Sequence, residues 1–174
     1  MAQPHLFCLL PDSRRAHEAA ERLFETVEHE LRALLPETAE ILHVGATAIP
    51  GCLTKGDLDV VIRVEHADFR ASETILASRY ARNLGSARTE DFAAFEDGAR
   101  TPHLGIQLTA KGAAFDIFHR FAATLRADPD LVRRYNALKI AYDGQPMDDY
   151  RAAKDAFVAE ALISASEQPD SSAP

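Results

Sequence analysis

The stretch Asp57-Leu58-Asp59-Val60-Val61-Ile62-Arg63-Val64 constrains the fold more than any other. It is β-branched throughout its centre and nearly unbroken in apolar character, as expected of a largely buried strand. Its start alternates. Asp57 and Asp59 stand at i and i+2, so on a strand their carboxylates project to one side, with Cβ atoms about 6–7 Å apart.

The rest of the chain has to supply that strand's partners. Ile41-Leu42-His43-Val44 is a second short strand, cut off by Gly45 and followed by a loop that holds Pro50 and Gly51. Phe92–Glu96 and His103–Leu108 read as two further strands around Asp97-Gly98, and Lys111-Gly112 sets off the run Ala114-Phe115-Asp116-Ile117-Phe118. A small mixed or antiparallel sheet fits these signals. Upstream, Asp12 or Ser13 caps a helix in which Ala16, Ala20, Leu23, Phe24, Val27, Leu31 and Leu34 form one apolar stripe before Pro36. Its charges, Glu18, Glu21, Arg22, Glu25, Glu28 and Arg32, read as solvated. A helix is predicted from about residue 68 to about residue 83, with Gly85 as a stop. From Phe121 the chain is helical in three segments, to about 127, from Asp128-Pro129 to about 142, and from Pro146 to about 164. The expectation is an α+β fold, with an N-terminal helix and a helical C-terminal half.

With 174 residues and 47% hydrophobic content, the chain is the size of one domain, read as 1–166, followed by a polar, flexible tail 167–174. Nineteen basic against 27 acidic residues leave a net charge of −8, which argues against a long nucleic acid as partner. Cys8 and Cys52 show no metal-binding spacing, and neither a membrane span nor a secretory signal is evident. A soluble cytoplasmic protein is expected. P-loop, dinucleotide-binding and serine-hydrolase motifs are missing as well.

What remains is the constellation Gly45-Ala46-Thr47, a connecting loop, and Asp57-Leu58-Asp59. Two carboxylates on one strand face suit a shared Mg²⁺, whose remaining ligands come from substrate phosphates. Gly45 permits close backbone approach to a triphosphate, Thr47 and nearby amides donate hydrogen bonds, and Lys55 offers a cation. His43, His103 and His119 could all face one cleft. His43 and His103 are read as substrate-positioning and His119 as structural, while His5, His17, His29 and His66 are read as surface or cap residues.

The order strand, Gly-Ala, about ten residues, Asp-x-Asp resembles the nucleotidyltransferase superfamily of polymerase-β type. A closer resemblance is to the GrpB family, carried by His43-Val44-Gly45-Ala46-Thr47-Ala48-Ile49-Pro50-Gly51, Lys55 and Asp59-Val60. It continues through His103-Leu104, Leu125-Arg126-Ala127-Asp128-Pro129-Asp130, Tyr135, Leu138-Lys139, Tyr150 and Lys154. The resemblance implies a minimal nucleotidyltransferase sheet with a helical C-terminal part, and a third carboxylate on a neighbouring strand in active members of the superfamily, for which Asp116, with apolar flanks, is the candidate and Glu96 the less favoured one. Two departures stand out. Ala46 replaces the loop serine, and Phe121-Ala122-Ala123 lacks the family's Arg-Asp. Asp57, conversely, completes an Asp-x-Asp.

These readings converge on an Mg²⁺-dependent enzyme that transfers a nucleotidyl group from a nucleoside triphosphate to a small acceptor. Asp57, Asp59 and Asp116 would be its catalytic and metal-binding residues, and His43, Gly45, Ala46, Thr47, Lys55, His103 and Arg126 its substrate-binding residues. The alternatives are a non-catalytic nucleotide- or metabolite-binding module on the same scaffold and a metal-independent enzyme using cleft histidines.

Overall fold

The computed structural model describes residues 5–167. Asp12 caps α1 (Ser13–Arg32) by accepting from the Arg15 amide at 3.0 Å. β1 (Glu40–Val44), β2 (Leu58–Val64), α2 (Phe69–Ala77), β3 (Ala81–Arg82), β4 (Phe92–Asp97) and β5 (Leu104–Ala110) follow. α3 (Phe118–Ala127), α4 (Pro129–Ala141) and α5 (Met147–Glu167) complete the chain. The strands form one mixed sheet in the order β1-β2-β5-β4-β3. β2 and β5 run parallel, and the other neighbours are antiparallel.

The expected buried strand is β2. One of its faces, Leu58, Val60, Ile62 and Val64, packs with Leu104, Ile106 and Leu108 of β5 against Ala20, Val27 and Leu31 of α1 and Phe69 and Leu76 of α2. The other face brings Val44 and Val61 together with Ala122, Leu125, Leu131, Val132, Tyr135 and Phe157 from α3, α4 and α5. Helices therefore cover the strand on both sides, which removes the need for polar alternation along its centre. The exception is the start of β2, where Asp59 lies on the α3–α5 side, in line with Val61.

Two expected elements differ. Residues 114–117 form turns, not a strand: the Asp116 amide bonds to the Ala113 carbonyl at 3.0 Å, and α3 starts at Phe118. Here a local hydrogen-bonded turn and the stacking of Phe115 on Phe92 outweigh the β propensity of the apolar run. α2 ends at Ala77 rather than near residue 83, because Ser78 bonds back to the Ile75 carbonyl and Ala81–Arg82 pairs with β4. Of the tail 167–174, residue 167 closes α5 and the remainder lies outside the described residues. Among the described residues no helix is long and apolar enough to cross a membrane.

Candidate functional site

The loop after β1 is shaped by Gly45, at φ +74° and ψ −175°, followed by a single 3-10 turn over Ala46–Ala48. That backbone conformation is essentially confined to glycine. A second reason for glycine is proximity. A Cβ at position 45 would stand 2.4 Å from Asp59 Oδ2, and one at Gly105 would stand 3.1 Å from Asp59 Oδ1. The Asp59 carboxylate is therefore wedged between two backbones that lack side chains.

The loop is pinned to β2 by a chain of hydrogen bonds. His43 Nδ1 meets Glu21 Oε2 at 3.0 Å, His43 Nε2 meets Thr47 Oγ1 at 2.9 Å, and Thr47 Oγ1 donates to the Asp57 carbonyl at 3.0 Å. Thr47 is only 4% exposed, and the His43 ring stacks on Phe24 of α1. Burial pushes the His43 imidazole below its ordinary value, against the pull of Glu21. His43 thus serves the loop rather than a ligand. Glu21, read from the sequence as merely solvated, is part of this chain.

Asp57 sits just ahead of β2, with Oδ2 paired to Lys55 and 3.8 Å from His103 Nδ1. The other ring nitrogen of His103, Nε2, is 3.5 Å from Glu96 Oε2. Burial pushes the Asp59 carboxyl above the usual carboxylate range; Lys154 of α5 opposes this and Asp57 reinforces it. Ala46, where the family has serine, packs with Ala48 against the core under α3–α5. Arg126 donates to the carbonyls of His43 (3.4 Å) and Ala48 (3.2 Å), so in this structure it braces the loop. From α4, Asn136 bonds to Gly51 and Leu53, and Lys139, 1% exposed, donates to Cys52 Sγ at 2.9 Å and to the Leu53 carbonyl. Burial pushes the Lys139 amine down. These braces are invisible in a linear reading, because each spans 78 residues or more.

The structure does not bring all the candidates together. Asp116 is held bidentately by Arg63, at 2.6 and 2.8 Å, and by the Gly112 amide at 2.8 Å. Arg63 lies four residues beyond Asp59 on β2, about 13 Å by strand rise. Asp116 is therefore withdrawn as third carboxylate, being committed to an arginine at the far end of the strand. The shared histidine cleft is also corrected. His43 makes its hydrogen bonds to Glu21 of α1 and to Thr47 while its charge acts on Asp59, His119 Nδ1 lies 3.4 Å from Asp116, and His103 stands beside Asp57. His17, read as a surface residue, bonds to the Cys52 carbonyl at 2.9 Å. The strand beside β2 carries Gly105 opposite Asp59, so the expected neighbour-strand carboxylate is missing there.

Among the described residues no cluster of three or more His, Cys, Asp or Glu side chains is arranged to hold a metal by itself. The donor set of Asp57 and Asp59 still suits Mg²⁺, which commonly takes one or two carboxylates and completes its shell with water and substrate phosphate. Burial is the larger cause of the raised Asp59 carboxyl and Asp57 a smaller one, and a cation bound there would offset both.

An α+β sheet with a glycine turn facing a carboxylate pair defines the class, and comparison with known proteins places the chain within it. Residues 14–163 match the family described as GrpB protein. The chain is 33% identical over 162 residues to a UPF0157 protein of Vibrio cholerae serotype O1, covering 89% of this chain and 85% of that one. The crystal structure of GrpB from Enterococcus faecalis superposes with a TM-score of 0.65 at 20% identity, over 86% of this chain and 96% of that one. A weaker likeness, TM-score 0.49 at 10% identity, relates 71% of the chain to 40% of the Cid1 poly(U) polymerase bound to MgATP. This chain belongs to the GrpB family.

Proposed function

We propose that the protein is an Mg²⁺-dependent nucleotidyltransferase that moves the nucleotidyl group of a nucleoside triphosphate onto a small acceptor in the cytoplasm. The observation that carries this reading is the Asp59 carboxylate set against the Gly45 turn, near enough to Asp57 for the two charges to interact, with Lys55 paired to Asp57 and both Lys55 and Lys154 acting on Asp59. The turn presents backbone amides to the triphosphate. Lys55 and Lys154 neutralise its charge, and Lys154 joins the candidate set from the helical half. Asp57 and Asp59 would hold Mg²⁺, which when bound screens the phosphate oxygens and the departing pyrophosphate. The acceptor hydroxyl then displaces pyrophosphate from the α-phosphorus, a transfer that depends mainly on positioning and charge neutralisation.

A second reading, a non-catalytic nucleotide-binding module, is favoured by β5, the parallel neighbour of β2, carrying no carboxylate. Calorimetric titration of MgATP, MgGTP, MgCTP and MgUTP into the parent and into Asp57→Asn/Asp59→Asn tests the metal and nucleotide. We expect Mg²⁺-dependent binding in the parent and at least about a tenfold loss in the double variant, the equivalent of roughly 1.4 kcal/mol. Lys154→Ala should weaken binding about tenfold without abolishing it. Equal affinity in the parent and the double variant would remove the metal from the reading. Pyrophosphate release with a hydroxylated acceptor separates the enzyme from the module.

A further inference from the structure

On the α3–α5 side, Asp59 on β2, Gly105 on β5 and Glu96 on β4 lie in one row of the sheet, because Asp59 pairs with Gly105 and Gly105 with Glu96. Asp59 and Glu96 are two strands apart, about 10 Å between backbones. Position 105 adds no side chain of its own between them, and the Asp59 carboxylate leans into the space, with Oδ1 3.1 Å from where a Cβ at 105 would stand. The gap has polar walls: His103 reaches from Asp57 to Glu96, and Gln107 Nε2 lies 3.7 Å from where a Cβ at 105 would stand. It borders a cavity of about 370 Å³ lined by Arg79, Tyr80, Glu96, Asp97 and His103. That is the lower part of the size range of small-molecule sites. Asp97 is engaged by Arg100 at 3.2 Å, whereas among the described residues Glu96 meets no Lys or Arg and faces only the His103 ring.

We infer that this trough is the acceptor site, and that Glu96 selects a polyhydroxylated acceptor bearing an ammonium group over a phosphorylated one. The inference rests on the nucleotidyltransferase reading for the direction of transfer, but not for the binding itself. With Asp57, Asp59, Lys55 and Lys154 given over to the cation and the triphosphate, the carboxylate left on the β4 side is that of Glu96. An ammonium placed there gains a charge-assisted hydrogen bond, and a phosphate meets like charge. Hydroxyls of the same ligand find acceptors in Glu96 and His103 and a donor in Gln107. Arg79, exposed just beyond α2, offers the opposite preference, so a phosphorylated sugar is the discriminating competitor.

The test is amide shift mapping on the ¹⁵N-labelled full chain with glucosamine, glucose and glucose 6-phosphate. We expect glucosamine to shift the amides of Glu96, Gly98, His103 and Gly105 and to bind about tenfold tighter than glucose, with glucose 6-phosphate weakest. In Glu96→Gln, with the rest of its spectrum in place, the glucosamine-to-glucose ratio should fall to about one. Equal affinities in the parent, tightest binding of glucose 6-phosphate, or no shift at those four amides with any of the sugars overturns the inference. A parallel MgATP titration of the parent, read at Gly45 and Asp59, reports on the nucleotide reading separately, so either result can fail while the other stands.

Discussion

Replacing Gly45 by alanine should lower the stability of the fold by about 3–5 kcal/mol and remove Mg²⁺-dependent nucleotide binding. Two costs combine. With φ +74° and ψ −175°, the residue occupies a region that L side chains rarely adopt. The new methyl carbon would also stand 2.4 Å from Asp59 Oδ2 and 3.0 Å from Asp59 Cβ, so either the loop or the carboxylate must move. Because Asp59 is backed by Gly105, at 3.1 Å from its other oxygen, it has no slack on the opposite side. Gly51→Ala serves as the control: its φ is +75°, but nothing lies within 4 Å of the added carbon. It should lose only the backbone contribution, about 1–2 kcal/mol. Thermal denaturation of the two variants separates strain from clash, with an expected drop for Gly45→Ala on the order of 10 °C. If both variants melt together, the wedge around Asp59 is wrong, and with it the explanation of why the turn and the strand are coupled.

The same residues show what a linear reading can reach. β2 was legible because its apolar run is too long and too branched for a half-exposed strand; of the expected i, i+2 pair, Asp59 lies on it and Asp57 stands one residue ahead of it. α1 and α4 were legible because Asp12 and Asp128 cap them with side-chain oxygens, as their positions imply. The small sheet, expected as mixed or antiparallel from the strand and turn signals, is mixed, and the family read from the loop motif was borne out. What failed was everything set by distant partners. Asp116 has the apolar flanks of a site carboxylate, yet Arg63, 53 residues upstream, claims it. Glu21 looks like one more solvated charge, but its position on α1 places it against His43. Arg126, expected to bind substrate, holds the loop through its carbonyls in this structure, and Lys139 does the same from α4. A sequence declares which side chains can ionise; only the fold decides which of them are already paired.

That distinction is sharpest at Asp116. Asp116→Ala should destabilise the protein by about 2–4 kcal/mol, or roughly 6–12 °C in Tm, while MgATP affinity stays within about twofold of the parent. The side chain is 5% exposed and Arg63 16%, so truncation leaves a guanidinium without its bidentate partner in a mostly dry setting. Glu40 still contacts Arg63, which keeps the cost below that of a fully orphaned buried charge. The pH dependence follows from the direction of the shift. Burial alone would raise the Asp116 carboxyl, but hydrogen bonds from Arg63 and the Gly112 amide hold it below the usual carboxylate range. A depressed folded value means that the contribution is present above the unfolded value of about 3.9 and is lost as pH falls through the lower, folded one. The gap in stability between parent and variant should therefore be constant near neutrality and close on acidification below about pH 4, as measured by urea unfolding at stepped pH. A variant that keeps its stability but loses MgATP binding would return Asp116 to the site. The opposite result fixes its role as the clamp at the far end of β2, and leaves the chemistry to the end that carries Asp57 and Asp59.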